Sequence, residues 1–374
     1  MTRSVRLFVL LGVVLALIGG GAYAAVRVAQ SRVDEAIPQV DLFGPSDSPE
    51  PSASPSPSPS PSPSAGADIT GPLNFLIVGI DTRESKKGWP PHGDVVMILH
   101  VDKSLSNAYL TSLPRDLVVD IPAFKPSRYG GGRSKLTHAM TFGGRVPGKS
   151  NTWDIAKGFQ LTANAVSGYT GIKRFDAGAV ITFRGYTRLI DALGGVDLYI
   201  DQKVVSIHRH PDGKHRPACG GCEHGYSGPR KTYNVGMAHL SGWQALDYAR
   251  QRYTTGGEYA RQRHHRQLMK AMLTKAMSLD VLTDPAKFDG ILSALGGTLT
   301  FDGRGRKPTE FVYALRNIRP ANLTLVGLPG GGLFSGGSYQ GERLDAVQKS
   351  YFTALRADKL AAWAKSHPKL INTR

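Results

Sequence analysis

The chain has 374 residues, of which 41% are hydrophobic, so it can bury a proper core in one large domain or two small ones and is not disordered throughout. Its 46 lysines and arginines outnumber its 29 acidic residues, which gives a formal net charge of +17. The first 66 residues hold four arginines and five acidic residues, so the rest of the chain carries about +18 and a phosphate-bearing or otherwise anionic partner is indicated.

The N-terminal segment has the composition of a membrane anchor. Residues 7–26 are twenty consecutive positions without a charge, and Arg3 and Arg6 precede them. At 1.5 Å per residue such a helix just crosses a hydrocarbon core of about 30 Å. Positive charge on the short side predicts a cytoplasmic N-terminus and an exported body, so we assign residues 1–30 to a cytoplasmic tip and a signal-anchor. A cleaved signal peptide is the alternative, because residues 22–24 resemble a cleavage site.

Residues 46–65 are an almost pure alternation of serine and proline. Proline fixes φ and lacks an amide donor, so this stretch favours an extended polyproline II conformation. At about 3.1 Å per residue it is expected to act as a semi-rigid spacer that lifts the domain tens of ångströms off the bilayer. A glycosylated or disordered tether is the alternative. We assign residues 31–71 to an extracytoplasmic linker and residues 72–374 to a single folded domain.

Apolar runs inside this domain predict an α/β fold. Those typical of buried strands lie at residues 73–80, 94–101 and 106–112. A β-α-β unit is predicted over residues 177–200, its helix ended by Gly194 and Gly195. Helices near residues 308–317 and 345–366 and a strand at 323–328 complete a mixed α/β body.

A further helix is predicted from its N-cap, Ser241, to about Ala249. Arg250 and Arg252 are two positions apart, which on a helix would separate them by about 200°. In an extended segment the same spacing points both side chains to one side. We therefore expect the helix to end near Ala249 and the two arginines to face a site together.

Another helix, predicted to begin near Glu258, carries one stripe that is cationic at its first turn and apolar beyond it. Such a stripe suits a ligand with a charged head and a long apolar tail, although an ordinary core face with a solvated end gives the same pattern. The stripe consists of Arg261, His265, Leu268, Met272, Ala276 and Leu279.

The chain has two cysteines, Cys219 and Cys222, in one glycine-rich loop. Outside the membrane a disulfide between them is favoured. A zinc site and a pair of free thiols are the alternatives, since histidines surround the loop at a spacing too loose for a defined metal motif. These histidines are His208, His210, His215 and His224.

Acidic and arginine residues stand at the ends of predicted strands. Asp81 and Arg83 follow the first strand, Asp94 opens the second, and Arg115 and Asp116 follow the third. Taken alone, Asp94 is explained by a strand cap, and the other residues are explained by surface ion pairs worth under about 1 kcal/mol. Open α/β sheets bind ligands at strand ends, and arginine matches phosphate oxygens in pairs. Together the residues predict a site for a phosphorylated ligand and a divalent cation.

Five ordered motifs give the chain a family resemblance over about residues 72–370. They are NFLIVGIDTR (74–83), LTSLPRD (110–116), KLTHA (135–139), LIDALGGVD (189–197) and LSGWQALDYARQR (240–252). With a membrane anchor in front, the sequence resembles an extracytoplasmic LytR-CpsA-Psr (LCP) protein. The resemblance implies an α-β-α domain with a mixed central sheet flanked by helices.

The resemblance also implies a phosphotransferase that moves a glycan polymer from an undecaprenyl pyrophosphate carrier onto peptidoglycan at the cell membrane. Asp81 and Asp94 would hold Mg²⁺ (or Mn²⁺) against the pyrophosphate. Lys135 would lie nearby, and Gln267 would take the role of the family's helix glutamine. The residues expected to hold the pyrophosphate oxygens are Arg83, Arg115, Arg250, Arg252 and Arg261.

The sequence departs from the family pattern at three places. His92-Gly93 stands where the family usually has Arg-Ser, so one cation is replaced by a group that is neutral when unprotonated. Glu258 replaces an aspartate, and residues 264–266 replace Arg-Gln-Gln. These changes bear on helper contacts and on the choice of acceptor more than on the core reaction.

Three other functions would also account for parts of this sequence. A nucleic-acid-binding regulator would explain the charge, but an exported body meets no DNA, so we expect no nucleic-acid partner. Pyrophosphatase-type hydrolysis of the lipid-linked donor keeps the same fold and differs only in needing no acceptor. A non-catalytic glycan-binding wall protein would not require paired aspartates beside an arginine cluster.

Overall fold

The structure, a computed structural model, describes residues 31–44, 66–81, 88–278, 285–296 and 298–372, the side chains of 285–289 excepted. The predicted membrane helix, the Ser/Pro run and Arg83 therefore lie outside the described residues. In the part of the chain that is described, no helix is long and apolar enough to cross a membrane.

Besides the helical residues 31–36, nine α-helices can be numbered in chain order within the described residues. They are α1 (Leu136–Gly144), α2 (Ile155–Thr170), α3 (Phe183–Ala192), α4 (Gly242–Arg250), α5 (Gly257–Ala276), α6 (Pro285–Gly296), α7 (Pro308–Ala314), α8 (Val347–Arg356) and α9 (Leu360–Ser366).

The strands of the same residues are β1 (Leu73–Asp81), β2 (His92–Val101), β3 (Ala108–Leu113), β4 (Val118–Ile121), β5 (Gly132–Lys135), β6 (Ala177–Thr182), β7 (Val196–Ile200), β8 (Val204–Val205), β9 (Thr232–Tyr233), β10 (Gly236–Leu240), β11 (Leu299–Asp302), β12 (Leu323–Val326), β13 (Gly330–Ser335), β14 (Ser338–Leu344) and β15 (Ile371–Asn372).

A seven-stranded mixed sheet in the order β11-β6-β1-β2-β3-β12-β15 forms the centre of the domain. β1 runs parallel to β6 and β3 runs parallel to β12, whereas β2 lies antiparallel between β1 and β3. The predicted mixed central sheet is confirmed. Because of this arrangement, the carboxyl ends of β1, β3, β6 and β12 lie at the same edge of the sheet.

Both faces of the sheet are buried, which explains why its strands read as continuous apolar runs. In β1, Phe75 and Ile77 belong to one core, and Leu76 and Val78 belong to the other. The first core packs against α3 to α7, and the second packs against α1, α2, α8 and α9. The fold is therefore a three-layer α-β-α domain.

The predicted β-α-β unit is wrong in one respect. β6 and α3 form as expected, but β7 does not join the central sheet and pairs antiparallel with β10 in a separate two-stranded sheet. The position beside β6 that a returning strand would fill is occupied by β11. Alternating burial in β7, with Asp197 exposed between Val196 and Leu198, fits a strand covered on one face only.

Residues 31–44, which the sequence assigned to the linker, pack onto the folded body. Val33, Ile37 and Leu42 are at most 4% exposed and belong to the two cores. The amide of Leu42 donates to the Asp302 carboxylate over 2.8 Å. These apolar positions stand directly before the Ser/Pro run, whose composition predicts a linker. We call residues 31–44 the N-terminal strap.

Candidate active site

The predicted site residues meet at the sheet edge where the parallel strands end. Asp81 is the last residue of β1, and Arg115 follows β3 by two residues. Both strands point toward this edge, so chain direction alone brings two of the sequence motifs together.

Asp94 reaches the same edge through a β-bulge. Gly79 pairs with Val95 and Ile80 pairs with Gly93, so Asp94 is the extra residue on β2. A bulge changes the direction of a side chain relative to regular pleating and is common next to active sites. A Cβ at Gly79 would lie 2.9 Å from the Val95 Cβ, so glycine permits this close pairing.

Each of these aspartates contacts an arginine from a distant part of the chain. Arg250 Nη2 donates to Asp81 Oδ2 over 3.1 Å. Arg115 Nη1 donates to Asp94 Oδ1, and Arg115 Nε donates to Asp116 Oδ1 over 3.3 Å. Asp94 is 8% exposed, so its charge is compensated within the protein.

Arg250 and Arg252 reach the site because α4 ends between them. Arg250 is the last residue of α4, and Gln251 has an extended conformation with ψ of 129°. Gln251 turns inward, is 2% exposed and donates to Asp247. Arg252 Nη1 lies 3.8 Å from Asp116 Oδ2. The predicted helix end is confirmed to within one residue.

The first turn of α5 adds the carboxylate of Glu258 to this site. The sequence indicated Glu258 only as a departure from the family pattern. Glu258 accepts from Arg261 Nη2 over 2.6 Å and from Arg261 Nε over 2.8 Å. Arg261 Nη1 also donates to the backbone oxygen of Asp94 over 3.0 Å. The i, i+3 spacing of Glu258 and Arg261 is the one sequence feature that indicates this pair.

Burial and neighbouring charge act against each other in this cluster. Burial would lower the pKa of Arg261, but the Glu258 carboxylate outweighs this effect and the pKa is raised. The pKa of Arg252 is lowered, first by burial and then by the nearby charges of Arg261 and Arg115. Three guanidinium groups are therefore held close together, which favours an anion with several oxygens.

Two further predicted residues contact groups other than the arginines and aspartates described above. The Lys135 ammonium stands 4.7 Å from the ring centre of Tyr339. Gln267 donates to Asp201 over 3.1 Å, and Asp201 also contacts Arg263 and His264.

Asp81 and Asp94 fit the donor set that Mg²⁺ prefers. Mg²⁺ is usually bound by one or two carboxylates, and phosphate oxygens and water complete its octahedron. No group of three or more histidine, cysteine, aspartate or glutamate side chains among the described residues could hold a metal ion by itself. Substrate oxygens would therefore have to complete the coordination.

An apolar cavity of about 450 Å³ begins beside the arginines. Its mouth includes Phe183, and the Arg250 guanidinium lies 4.7 Å from the centre of that ring. A second cavity of about 630 Å³ shares two of its lining residues, Ile77 and Met269, and extends along the sheet toward Leu323. A charged site thus opens into a long apolar space between the sheet and α5.

The face of α5 that lines these cavities differs from the predicted stripe. His265, Met269 and Leu273 line them. Leu268, Met272 and Ala276 are at most 1% exposed in the core, and Leu279 lies outside the described residues. Because an α-helix has 3.6 residues per turn, these two rows of side chains lie next to each other on α5. Hydrophobic periodicity alone therefore does not distinguish the row that lines the cavities from the row in the core. Burial, and then the charge of Arg261, lower the pKa of His265 well below the ordinary value.

The cysteine loop lies beside the site. Cys219 and Cys222 are joined by a disulfide. Arg216, 4% exposed, donates to the carbonyl groups of three loop residues and fixes the loop from within. The ring of His224 lies 4.0 Å from that of Tyr253, next to Arg252. The described histidines of this loop form no metal-binding group.

Comparison with known proteins relates the chain to one protein family. The LytR_cpsA_psr family matches residues 46–355. Biofilm regulatory protein A of Streptococcus mutans is 27% identical over 281 residues, which cover 72% of this chain and 59% of that protein. The Enterococcus faecalis protein named polyisoprenyl-teichoic acid–peptidoglycan teichoic acid transferase TagU is 25% identical over 274 residues, covering 72% of this chain and 74% of that protein.

Two solved structures share the fold. The crystal structure of Bacillus subtilis TagV has a TM-score of 0.54 at 18% identity and covers 78% of this chain and 98% of that one. A structure of TagT bound to LI-WTA has a TM-score of 0.52 at 18% identity, covering 76% and 90%. The matched segment spans about three fifths of the length of the Streptococcus relative.

Proposed function

The chain belongs to the LytR_cpsA_psr family, and on that premise we propose that it is a phosphotransferase that attaches a glycan polymer to peptidoglycan. The donor is a polyprenyl pyrophosphate-linked glycan, and the product is a phosphodiester-linked wall polymer. The name of the TagU relative, a transferase that joins polyisoprenyl-linked teichoic acid to peptidoglycan, supports this reaction class. The continuity of the arginine cluster with a long apolar cavity is the observation that carries the proposal.

Donor binding uses the two parts of this site together. The pyrophosphate lies among Arg115, Arg250, Arg252 and Arg261, where planar guanidinium groups bind phosphate oxygens in pairs. The prenyl chain enters the adjoining apolar cavity along Met269, where burial stabilises it by about 0.8 kcal/mol per CH₂ group.

The reaction is a displacement at phosphorus. The oxygen of an acceptor sugar hydroxyl attacks the phosphorus attached to the glycan. The bond from that phosphorus to the bridging oxygen breaks, and polyprenyl phosphate leaves with the bonding electrons. The hydroxyl proton passes to a carboxylate at the same edge, for which Asp94 is the candidate. Arg115, beside Asp94, stabilises charge on the phosphoryl oxygens, which is the main requirement of phosphoryl transfer.

A divalent cation, Mg²⁺ or Mn²⁺, held by Asp81 and Asp94 would neutralise charge on the leaving phosphate when bound. In its absence the two carboxylates are compensated by Arg250 and Arg115. Those arginines would then be shared between the carboxylates and the donor phosphates. The N-terminal segment would anchor the protein in the membrane by a single pass, with the domain on the extracytoplasmic side.

The test is a reconstituted reaction. Full-length protein in detergent is incubated with Mg²⁺, a prenyl pyrophosphate oligosaccharide and peptidoglycan fragments, and a new phosphodiester is sought by mass spectrometry. Asp81→Asn should abolish its formation. Asp120→Asn, an exposed carboxylate on β4, is the matched control and should leave it unchanged. Release of prenyl phosphate at the same rate without any acceptor would identify a hydrolase instead.

A further inference from the structure

The hairpin formed by β13 and β14 displays an aromatic pair next to the proposed active site. Phe334 is 65% exposed and Tyr339 is 41% exposed. Their ring centres are 5.7 Å apart and the rings are inclined by 62°. Glycines occupy positions 336 and 337 of the turn between them. We call residues 330–344 the aromatic hairpin.

The base of the aromatic hairpin is hydrogen-bonded to the segment after β3 that carries Arg115 and Asp116. The Glu342 amide donates to the backbone oxygen of Asp116 over 2.7 Å. The hydroxyls of Tyr259 and Tyr339 donate to the Glu342 carboxylate over 3.2 and 2.8 Å. Tyr339 is three residues from Glu342, which is about 10 Å along a strand. The rings are thus held at a short, defined distance from Arg115 and Asp116.

We propose that the aromatic hairpin binds the acceptor glycan and presents its hydroxyl to the phosphate. This inference rests on the proposed function and adds the acceptor subsite to it. The C–H face of a pyranose ring carries slight positive charge, whereas the face of an aromatic ring is negative, so the two stack. The cavity along α5 accommodates the prenyl chain, and the hairpin, which is bonded to Asp116, is available to the second substrate.

The polar groups beside the rings favour a sugar over a lipid surface. Lys135 lies over one face of Tyr339 and would lose hydration if the hairpin entered a bilayer. The same ammonium can donate hydrogen bonds to sugar hydroxyls. This contact also gives Lys135 a role in the acceptor subsite.

Acceptor dependence tests this subsite. Full-length Phe334→Ala should require at least fivefold more peptidoglycan glycan for half-maximal transfer, with the donor dependence unchanged. Met237→Ala removes an apolar side chain that is 71% exposed on β10 and should change neither. Unchanged acceptor dependence in Phe334→Ala would overturn the inference. So would loss of vesicle binding with normal acceptor dependence, because the hairpin would then be a membrane contact.

A separate measurement keeps the subsite distinguishable from the proposed reaction. Sedimentation of the protein with insoluble peptidoglycan glycan reports binding without any transfer. If wild-type protein made no phosphodiester but Phe334→Ala still lost sedimentation, the proposed function would fail and the glycan site would stand. Equal sedimentation of both proteins would remove the site.

The N-terminal strap supports a second, independent inference about the Ser/Pro segment. Gly44, at the end of the strap, lies against Gln160, and Gly66 lies against the backbone of Glu310. Residues 44 and 66, which flank the Ser/Pro segment, therefore both lie on the folded body.

The strap also limits the distance to the membrane. The predicted membrane helix ends at Val26, five residues before Ser31, where the described strap begins. Five extended residues span at most about 18 Å. We infer that the body lies directly against the bilayer and that the Ser/Pro segment, whose two flanking residues both lie on the body, does not set the distance between the body and the membrane.

The helical layer next to the strap suits this placement. Ala36 of the strap and Leu292 of α6 line one groove, and α6 packs on α3. α3 exposes Arg184 and Arg188, whose charge matches anionic lipid headgroups. Tyr186 of the same helix lines the apolar cavity. A prenyl chain would therefore have a short path from the bilayer to the site.

Moving the Ser/Pro segment tests this topology in proteoliposomes that contain anionic lipids. A fluorophore on Ser338→Cys should show energy transfer to a lipid dye. A second copy of residues 46–65 inserted between residues 30 and 31 should reduce transfer at least twofold. The same copy inserted after residue 65 should leave it unchanged. Equal reductions, or a reduction only by the second insertion, would show that the segment is a spacer. The readout requires no catalysis.

Discussion

Arg250 Nη2 and Asp81 Oδ2 are 3.1 Å apart although 169 residues separate them in the sequence. The contact joins the end of α4 to the end of β1, so two motifs become one site only when the α-β-α layers are assembled. Arg250 is 37% exposed at its side chain, whereas Asp81 is 15% exposed. The arginine is therefore the partner that can move to a ligand.

Replacing Arg250 should weaken donor binding. We expect Arg250→Ala to lower the affinity for a prenyl pyrophosphate about tenfold, because one hydrogen bond to a charged group is lost. The salt dependence of binding should become shallower, since one ionic contact is missing. Titration calorimetry at two salt concentrations measures both. Arg316→Ala, at an exposed position after α7, is the control and should bind normally.

Glu258 is expected to be a strong determinant of stability. Its carboxylate is 8% exposed and holds Arg261, whose side chain is 4% exposed. Removing one partner of a buried ion pair costs about 3–5 kcal/mol, because the other charge is left uncompensated. Glu258→Ala should therefore lower the urea midpoint strongly. Glu223→Ala removes a 65% exposed carboxylate paired with Arg230 and should leave the midpoint nearly unchanged. Similar midpoints for the two variants would contradict this role.

The sequence contained most of the sheet and the approximate position of the site. β1 and β3 were predictable because strands buried on both faces are continuous apolar runs. Arg250 and Arg252 were predictable because a two-residue spacing faces one direction only in an extended segment. In both cases the signal is local.

Features that depend on distant partners were not predictable. The bulge at Asp94 arises from its pairing with Gly79 and Ile80. The cavity face of α5 depends on which of two adjacent apolar rows meets the sheet. The strap folds onto residues distant in sequence, among them Phe301, with which Val40 and Pro38 exchange backbone hydrogen bonds of 3.1 and 3.0 Å.

Asp201 should make stability depend on pH. Burial would raise the pKa of its carboxyl, but hydrogen bonds with His264 and Arg263 outweigh this and hold the pKa well below the usual value. A carboxyl whose pKa is lowered in the folded state stabilises the fold at pH values above its pKa in the unfolded chain, which is about 3.9. This contribution to the free energy of unfolding is lost as the pH falls toward the folded-state pKa. Wild-type protein should exceed Asp201→Asn in urea midpoint at pH 7, and the difference should shrink at pH 3.5. An equal difference at both pH values would exclude the ionic contribution.

The strap should contribute to folding stability. Leu42 is fully buried, so Leu42→Ala should lower the free energy of unfolding by about 2–5 kcal/mol through lost burial and a new cavity. Val40, two residues earlier, is 43% exposed, and Val40→Ala should change the free energy by about 0.5 kcal/mol or less. Urea denaturation of full-length protein measures both. Equal, small effects would mean that the strap is detached in solution.

Met269 lies where the two apolar cavities meet, so a larger side chain there should block the path of a prenyl chain. We expect Met269→Trp to lower the affinity for a long-chain prenyl pyrophosphate at least tenfold. A water-soluble pyrophosphate with a chain of one isoprene unit should bind as before, because the arginine cluster is unchanged. Met269→Leu preserves most of the volume and serves as the control. If both ligands bound equally weakly to Met269→Trp, the substitution would have disturbed the headgroup site, and the cavity would not be the lipid path.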